Sequence, residues 1–309
     1  MQRWVFVFPG QGSQYVGMCR DFYDSYAEVR TLFKQANEIL EMDITRLCFE
    51  GPDPVLVQTA NVQPAITVAN LACLTVLRLH DVLPVAAAGH SLGEYSALHA
   101  AGVLDLETTL RLVKERGRLM QQAAEAEPGA MAAVMNLDGE RLREICRQSD
   151  AEIANINSPD QIIITGTRAA VQRAMDLSLE AGAKRTIELN VSGAWHSRIM
   201  QPARRRFATV VQGCTFRDPR IAVINNIDAL PLERGTDAPS KLIDQLCGAV
   251  LWSRSVERLV EAGYDHFLEV GPKKVLRGLM RRIDRRIQAL NVEDAASLTA
   301  FLHAGAGAP

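Results

Sequence analysis

The run Ala86-Ala87-Ala88-Gly89-His90-Ser91-Leu92-Gly93-Glu94-Tyr95 constrains the fold of this chain more than any other stretch. An apolar segment from Val82 to Ala88 suits a buried strand, a Gly-x-Ser-x-Gly turn follows, and Glu94 to Ala101 supplies small residues and helix formers. Strand, sharp turn and helix in that order make a nucleophile elbow, in which glycines remove the side chains that would collide around a strained serine. Ser91 is therefore the candidate nucleophile. Other segments alternate in the same way, so an α/β architecture with a mostly parallel sheet is expected.

Trp4 to Phe8 is a second continuous apolar run that suits a strand buried on both faces. It ends in Pro9-Gly10-Gln11-Gly12-Ser13-Gln14, a turn whose backbone N–H groups are open either to an anion or only to a tight strand-to-helix connection. Helical patterns follow at Tyr26 to Leu40, Gln63 to Leu79 and Leu106 to Ala124. On the last of these, Leu106, Leu110, Val113, Gly117 and Met120 form an apolar stripe, with Arg111, Lys114, Glu115 and Arg118 opposite. Arg116 projects between Leu112 and Met120 at the edge of the apolar face. A guanidinium there needs a partner, which a substrate carboxylate or a core-edge Asp or Glu would supply equally well.

From Gly129 the pattern changes. Strands at Ala130 to Met135, Glu152 to Asn157, Gln161 to Thr165 and Arg185 to Val191, with helices at Gly139 to Gln148 and Arg168 to Ala181, give the β-α-β-β-α-β order of a ferredoxin-like unit. The expected division is a large α/β subdomain over residues 1–126 and 193–309, interrupted by a small ferredoxin-like subdomain over residues 127–192. The cleft between them is the natural ligand site. Ile221 to Ile224 reads as a short strand before Asn225 and Asn226, Leu242 to Cys247 as a helical segment, and Ala304 to Pro309 as a frayed end.

Composition excludes several functions. A net charge of −2 and the lack of a basic stripe with interleaved aromatics argue against nucleic-acid binding. The start, Met1-Gln2-Arg3 before Trp4 to Phe8, is too short an apolar run for a signal peptide, and Pro9-Gly10 ends it. Val62 to Leu79 carries Gln63, Thr67, Asn70 and Arg78 and reads as a buried helix, not a membrane span. The 6 cysteines are scattered without Cys-x-x-Cys spacing, which fits free thiols in a reducing cytoplasm and leaves no expected metal site or permanently bound cofactor.

A serine nucleophile needs a base. Of the 6 histidines, His90 adjoins Ser91, where neighbouring side chains diverge; His99 lies two helical turns on, His303 is in the tail, and His80 and His266 sit beside acidic residues. His196 remains, just before a helix that starts near Ser197, where a neutral imidazole is favoured.

Phe8-Pro9-Gly10-Gln11-Gly12-Ser13-Gln14, Gly89-His90-Ser91-Leu92-Gly93-Glu94-Tyr95, Glu115-Arg116-Gly117, Asn157-Ser158-Pro159, His196-Ser197 and Glu269-Val270-Gly271-Pro272 together resemble the acyltransferases typified by malonyl-CoA:acyl carrier protein transacylase. The similarity runs from about Val5 to Leu290 in the family's motif order. It implies a hydrolase-like large subdomain, Ser91 as nucleophile, His196 as base and then acid, and an oxyanion hole from the N–H groups of Gln11 and Leu92. It also implies Arg116 as clamp for a malonyl carboxylate, with Asn157 and Trp195 in the substrate pocket. The implied reaction passes malonyl from malonyl-CoA, as substrate, to an acyl carrier protein in fatty-acid or polyketide synthesis. Trp195 lies in Gly193-Ala194-Trp195-His196, which resembles the malonyl-selecting type; selection against one added methyl is worth about 1–3 kcal/mol.

This chain departs from the family at Gly248-Ala249-Val250-Leu251-Trp252, where Leu251 replaces a polar residue that helps fix the histidine loop, and at Lys273, which replaces a glycine. The arginines at 204–206 and from Arg277 to Arg286 suit either a solvated face or an acidic carrier protein. An acyl hydrolase that clears carrier proteins is the competing activity, and a non-catalytic docking module a third. Arg116 separates them, because a carboxylate clamp is of little use in removing simple acyl chains.

Overall fold

The computed structural model describes residues 3–306. The strands Trp4–Phe8 (β1), Ala86–Gly89 (β2), Ala222–Ile224 (β7), His266–Val270 (β8) and Gln288–Val292 (β9) form a five-stranded sheet in the order β7-β2-β1-β8-β9. Every pairing in it is parallel. The strands Ala130–Met135 (β3), Glu152–Ser158 (β4), Gln161–Gly166 (β5) and Arg185–Glu188 (β6) form a separate antiparallel sheet in the order β4-β5-β3-β6, which is the ferredoxin-like arrangement.

Alternation of side chains explains why the parallel sheet is apolar throughout. Phe6, Phe8 and Ala87 point into the main core with the helices Thr59–Leu79 and Leu106–Ala126, whereas Val5, Val7, Ala86 and Ala88 point to the opposite face. There they pack with Trp252 and Val256 from the helix Trp252–Glu261 and with Leu276 and Met280 from Val275–Ile283. Covered on both faces, such a sheet leaves only its strand ends for a ligand. The chain moves from β1 to β2 on one side and later to β8 on the other, so the strand order reverses between β1 and β8, and the loop after β1 leaves from that switch point with the turn after β2 beside it. Gln11 and Ser91 lie there.

Helix Thr59–Leu79 is long and apolar enough to cross a membrane, but 83% of its most apolar window is buried inside the fold, as the reading of a core helix requires. The two sheets are stitched together. Ile156 N–H donates to Val250 C=O at 2.9 Å and Val250 N–H to Ala154 C=O at 2.8 Å, joining β4 to the segment after Gln245.

Element boundaries differ from expectation where backbone hydrogen bonding decides them. β2 starts at Ala86 and not Val82, consistent with Pro84, which has no N–H to give a ladder. The helix placed at Leu242 to Cys247 runs instead over Ala238–Gln245, with Pro239 in its first turn, where a missing N–H costs nothing. β6 ends at Glu188, short of Val191. Strand β9 and the helix Ala295–Ala306 carry no pattern strong enough to predict. The end expected to fray is helical at 304–306, and 307–309 lie outside the described residues.

Candidate active site

Ser91 stands between β2 and the helix Gly93–Ala100 with φ of 50°, in the left-handed region that a non-glycine residue occupies only under constraint. Two close approaches impose it. A Cβ on Gly93 would lie 2.0 Å from the Phe8 carbonyl oxygen, and one on Gly10 would lie 2.5 Å from that of His90. Both positions therefore admit only glycine, and the turn after β1 is pressed against the elbow. Asn226, just beyond β7, holds the strained turn: its Oδ1 accepts the Ser91 N–H at 2.7 Å and its Nδ2 donates to Gly89 C=O at 2.7 Å.

The Ser91 hydroxyl lies 2.9 Å from His196 Nε2. His196 Nδ1 is 2.7 Å from the Gln245 carbonyl, one of the carbonyls that the end of helix Ala238–Gln245 leaves without an intrahelical partner. A carbonyl only accepts, so Nδ1 carries the proton and Nε2 is left to take the serine's. Burial, reinforced by the Arg116 charge, holds His196 down to about 3, so the ring is neutral at physiological pH. Neutrality was expected from a helix N-terminus; desolvation is the larger cause. The substitution at Leu251 does not leave the ring unheld, because its partner is a backbone carbonyl of Gln245.

Arg116 is 1% exposed, deeper than the edge position its helical spacing suggests. It donates to Gln63 Oε1 at 2.9 Å, to Gln245 Oε1 at 3.0 Å and to Ser91 Oγ at 3.1 Å, and its guanidinium lies 5.7 Å from the centre of the Tyr95 ring. Neither Asp nor Glu pairs with it among the described residues, and its Nε has no partner. Desolvation lowers its pKa. The core-edge carboxylate that periodicity allowed makes no contact with it among the described residues; neutral amides take that place, with Glu94 beyond the Gln245 amide.

A cavity of about 300 Å³ opens over these groups. Gln11, Leu92, Asn157 and Trp195 line it with Ser91, Arg116 and His196, so the structure brings all the predicted site residues together. Neither the Gln11 nor the Leu92 N–H donates to another group among the described residues, as two oxyanion donors require. Asn157 is tied to His90, 2.8 Å from its Nε2, and donates to Gln161 at 3.1 Å, so it also joins the small sheet to the elbow. The Trp195 ring lies against Gly193, where a Cβ would sit 2.6 Å from it. Met131, Ala133 and Ile163 from the small sheet complete an apolar wall. Several of the basic residues suggested for a carrier protein are engaged within the chain, Arg204 with Asp244 at 2.5 Å and Arg282 with Asp160 at 3.7 Å.

Three residues of this site escaped sequence reasoning. Gln63 and Asn226 carry a faint signal, a lone polar residue in an apolar helix and a polar residue at a strand's carboxyl end. Gln245, which holds Arg116 through its side chain and His196 through its backbone, carries none.

The chain matches the acyl transferase domain family over residues 5–301. It is 42% identical over 306 residues to the malonyl CoA-acyl carrier protein transacylase of Haemophilus influenzae, covering 97% of this chain and 98% of that one. Over 303 residues it is 39% identical to the protein of that name from Bacillus subtilis, covering 96% of each. Among solved structures, an acyl carrier protein S-malonyltransferase from Vibrio cholerae superposes with a TM-score of 0.94 at 41% identity, covering 97% of this chain and 100% of that one. A malonyl-transacylase solved in complex with its type II polyketide synthase acyl-carrier protein gives 0.94 at 38% identity, covering 98% and 100%. With likeness of this extent in sequence and fold, the chain belongs to the acyl transferase domain family and is an acyltransferase.

Proposed function

We propose that this enzyme transfers malonyl from coenzyme A, through an ester on Ser91, to the phosphopantetheine thiol of an acyl carrier protein. The observation that carries the reading is Arg116: a cation buried beside the nucleophile, with no carboxylate among the described residues paired to it. An unpaired buried charge is costly, and a substrate carboxylate would complete it through parallel hydrogen bonds. The names of the relatives point the same way, and they do not favour the hydrolase alternative.

In this mechanism Ser91 Oγ gives its proton to His196 Nε2 as it attacks the thioester carbonyl. The oxyanion is received by the N–H groups of Gln11 and Leu92, and loss of one such donor typically costs about 10²–10³ in rate. Collapse breaks the C–S bond, and the imidazolium, steadied by the Gln245 carbonyl, returns the proton to the coenzyme A thiolate. The carrier's thiol then gives a proton to His196, attacks the Ser91 ester, and Ser91 recovers the proton as it leaves. Thioester exchange of this kind needs no resident cofactor, malonyl-CoA being a substrate. Residues 127–192 act as the inserted unit that closes the cleft over residues from 1–126 and 193–309, with Trp195 and Asn157 bounding the acyl group. The reading places the enzyme in the cytoplasm, where its free thiols stay reduced.

The test is to load the enzyme from malonyl-CoA, locate the adduct by mass, and then add a carrier protein or water alone. A malonyl ester on Ser91 that passes to the carrier much faster than to water is expected. Hydrolysis as fast as transfer would establish the hydrolase instead.

A further inference from the structure

Glu94 is a buried carboxylate that no step above uses. It lies in the first turn after the elbow, 2% exposed, and its Oε2 accepts from Gln245 Nε2 at 2.6 Å and from the Asn226 N–H at 3.2 Å. No Lys or Arg pairs with it among the described residues, just as no carboxylate pairs with Arg116. Gln245 lies between these two unmatched charges. Its Oε1 accepts from Arg116 at 3.0 Å while its Nε2 donates to Glu94, so the amide dipole has its negative end on the cation and its positive end on the anion. In a low-dielectric interior, hydrogen bonds in such a chain polarise and strengthen one another.

We propose that Glu94 is the resting counter-charge of Arg116, coupled to it through the Gln245 amide, and thereby sets how tightly Arg116 takes a substrate carboxylate. The inference rests on the reading of Arg116 as the carboxylate clamp. Glu94 does not touch the substrate; it is a positioning residue that acts on Arg116. While Glu94 is ionised, an incoming carboxylate enters a field already partly neutralised. When Glu94 is neutral, Arg116 is uncompensated and holds the carboxylate more firmly, by about three- to tenfold for two like charges roughly 12 Å apart on either side of Arg116 at an effective dielectric of about 20–40. Linkage makes the effect reciprocal, so a bound carboxylate raises the Glu94 pKa by the same factor.

Burial, opposed by the Gln245 and Asn226 hydrogen bonds and by Arg116, pushes the Glu94 carboxyl up to about 7, which brings the transition into a convenient range. The other charged groups facing it keep their state there. Burial alone would raise Asp228, but hydrogen bonds from Lys241, Leu230 and Asn225 hold it below the ordinary carboxylate value. His196 is neutral.

The experiment measures kcat/KM for loading of the full-length enzyme from malonyl-CoA and from acetyl-CoA between about pH 6 and 8.5, where a free carboxylate stays ionised. Their ratio cancels whatever affects Ser91 and His196 alike. In the native enzyme the malonyl-to-acetyl ratio should fall about three- to tenfold as pH rises through 7, whereas in Glu94→Gln it should stay constant near the native low-pH value. A flat native ratio, or a Glu94→Gln ratio that follows the native one, would overturn the proposal; the native curve decides even if the variant fails to fold. Arg116→Ala separates the two readings. If it lowers loading of both substrates equally, the clamp itself is wrong; if it is selective while the native ratio is flat, only the coupling to Glu94 is wrong.

Discussion

Gly93→Ala should disable this enzyme by moving the nucleophile without touching any group that reacts. The added Cβ would lie 2.0 Å from the Phe8 carbonyl oxygen and 2.8 Å from its carbon, both backbone atoms of the central strand β1. An ordinary C···O approach is about 3.3 Å, so β1 and the elbow helix must separate by roughly 1 Å. That gap falls between the Leu92 N–H on the helix side and the Gln11 N–H on the β1 side, the two donors assigned to the oxyanion. Overpacking against unyielding backbone costs about 3 kcal/mol, the upper end of the usual range, and lowers Tm by roughly 6–12 °C for a chain of this size. A misplacement of about 1 Å lowers the loading rate by roughly 10². Gly278→Ala is the control, since a Cβ there meets nothing within 4 Å on the exposed face of helix Val275–Ile283; it should stabilise the protein by about 0.5–1 kcal/mol and leave loading unchanged. Melting curves and adduct formation from malonyl-CoA give both readouts. A Gly93→Ala enzyme that melts within about 2 °C of the native one and loads at a similar rate would refute the close-approach argument.

Loading from acetyl-CoA, which does not call on the Arg116 clamp, should show no acid limb near pH 6.5. His196 remains a neutral base down to far lower pH, and kcat/KM reports groups of the free enzyme; a fall with an apparent pKa near 6.5 would mean that the ring is far less buried than the structure has it. In stability the sign is that of a depressed histidine. Below pH 6.5 the unfolded state takes up a proton that folded His196 refuses, so the native state loses roughly 2 kcal/mol by pH 5 from this group, and His196→Gln should remove that part of the acid dependence in a series of melts. Lys273 occupies φ of 65° in the turn before helix Val275–Ile283, so Lys273→Gly should raise Tm by about 1–3 °C through relief of left-handed strain; a lowered Tm would show that its bond to Gly12 C=O at 3.3 Å outweighs that strain.

The parallel sheet was legible because strands buried on both faces read as unbroken apolar runs, and the small sheet because its helices and strands alternate with clear periods. Strand β9 was not, since a sheet-edge strand such as Gln288–Val292 mixes Gln and Asn with apolar residues. At the proposed site, Ser91, His196 and Arg116, which the structure brings together, could be singled out because each has its own context: an elbow, a helix start, a charge among leucines. Gln245 could not. Its importance comes from where one helix stops, which leaves a carbonyl for His196, and from an amide whose partners Arg116 and Glu94 lie more than a hundred positions away in sequence.

The central claim is that a buried arginine in direct contact with no carboxylate among the described residues selects a carboxylated acyl group for Ser91. Intact mass of the native enzyme and of Arg116→Ala, each offered malonyl-CoA and acetyl-CoA in equal amounts, tests it most directly. The native enzyme should carry almost entirely malonyl, and the variant should lose malonyl while retaining or gaining acetyl. Equal loading of both by the native enzyme, or an equal loss of both in the variant, would contradict the claim.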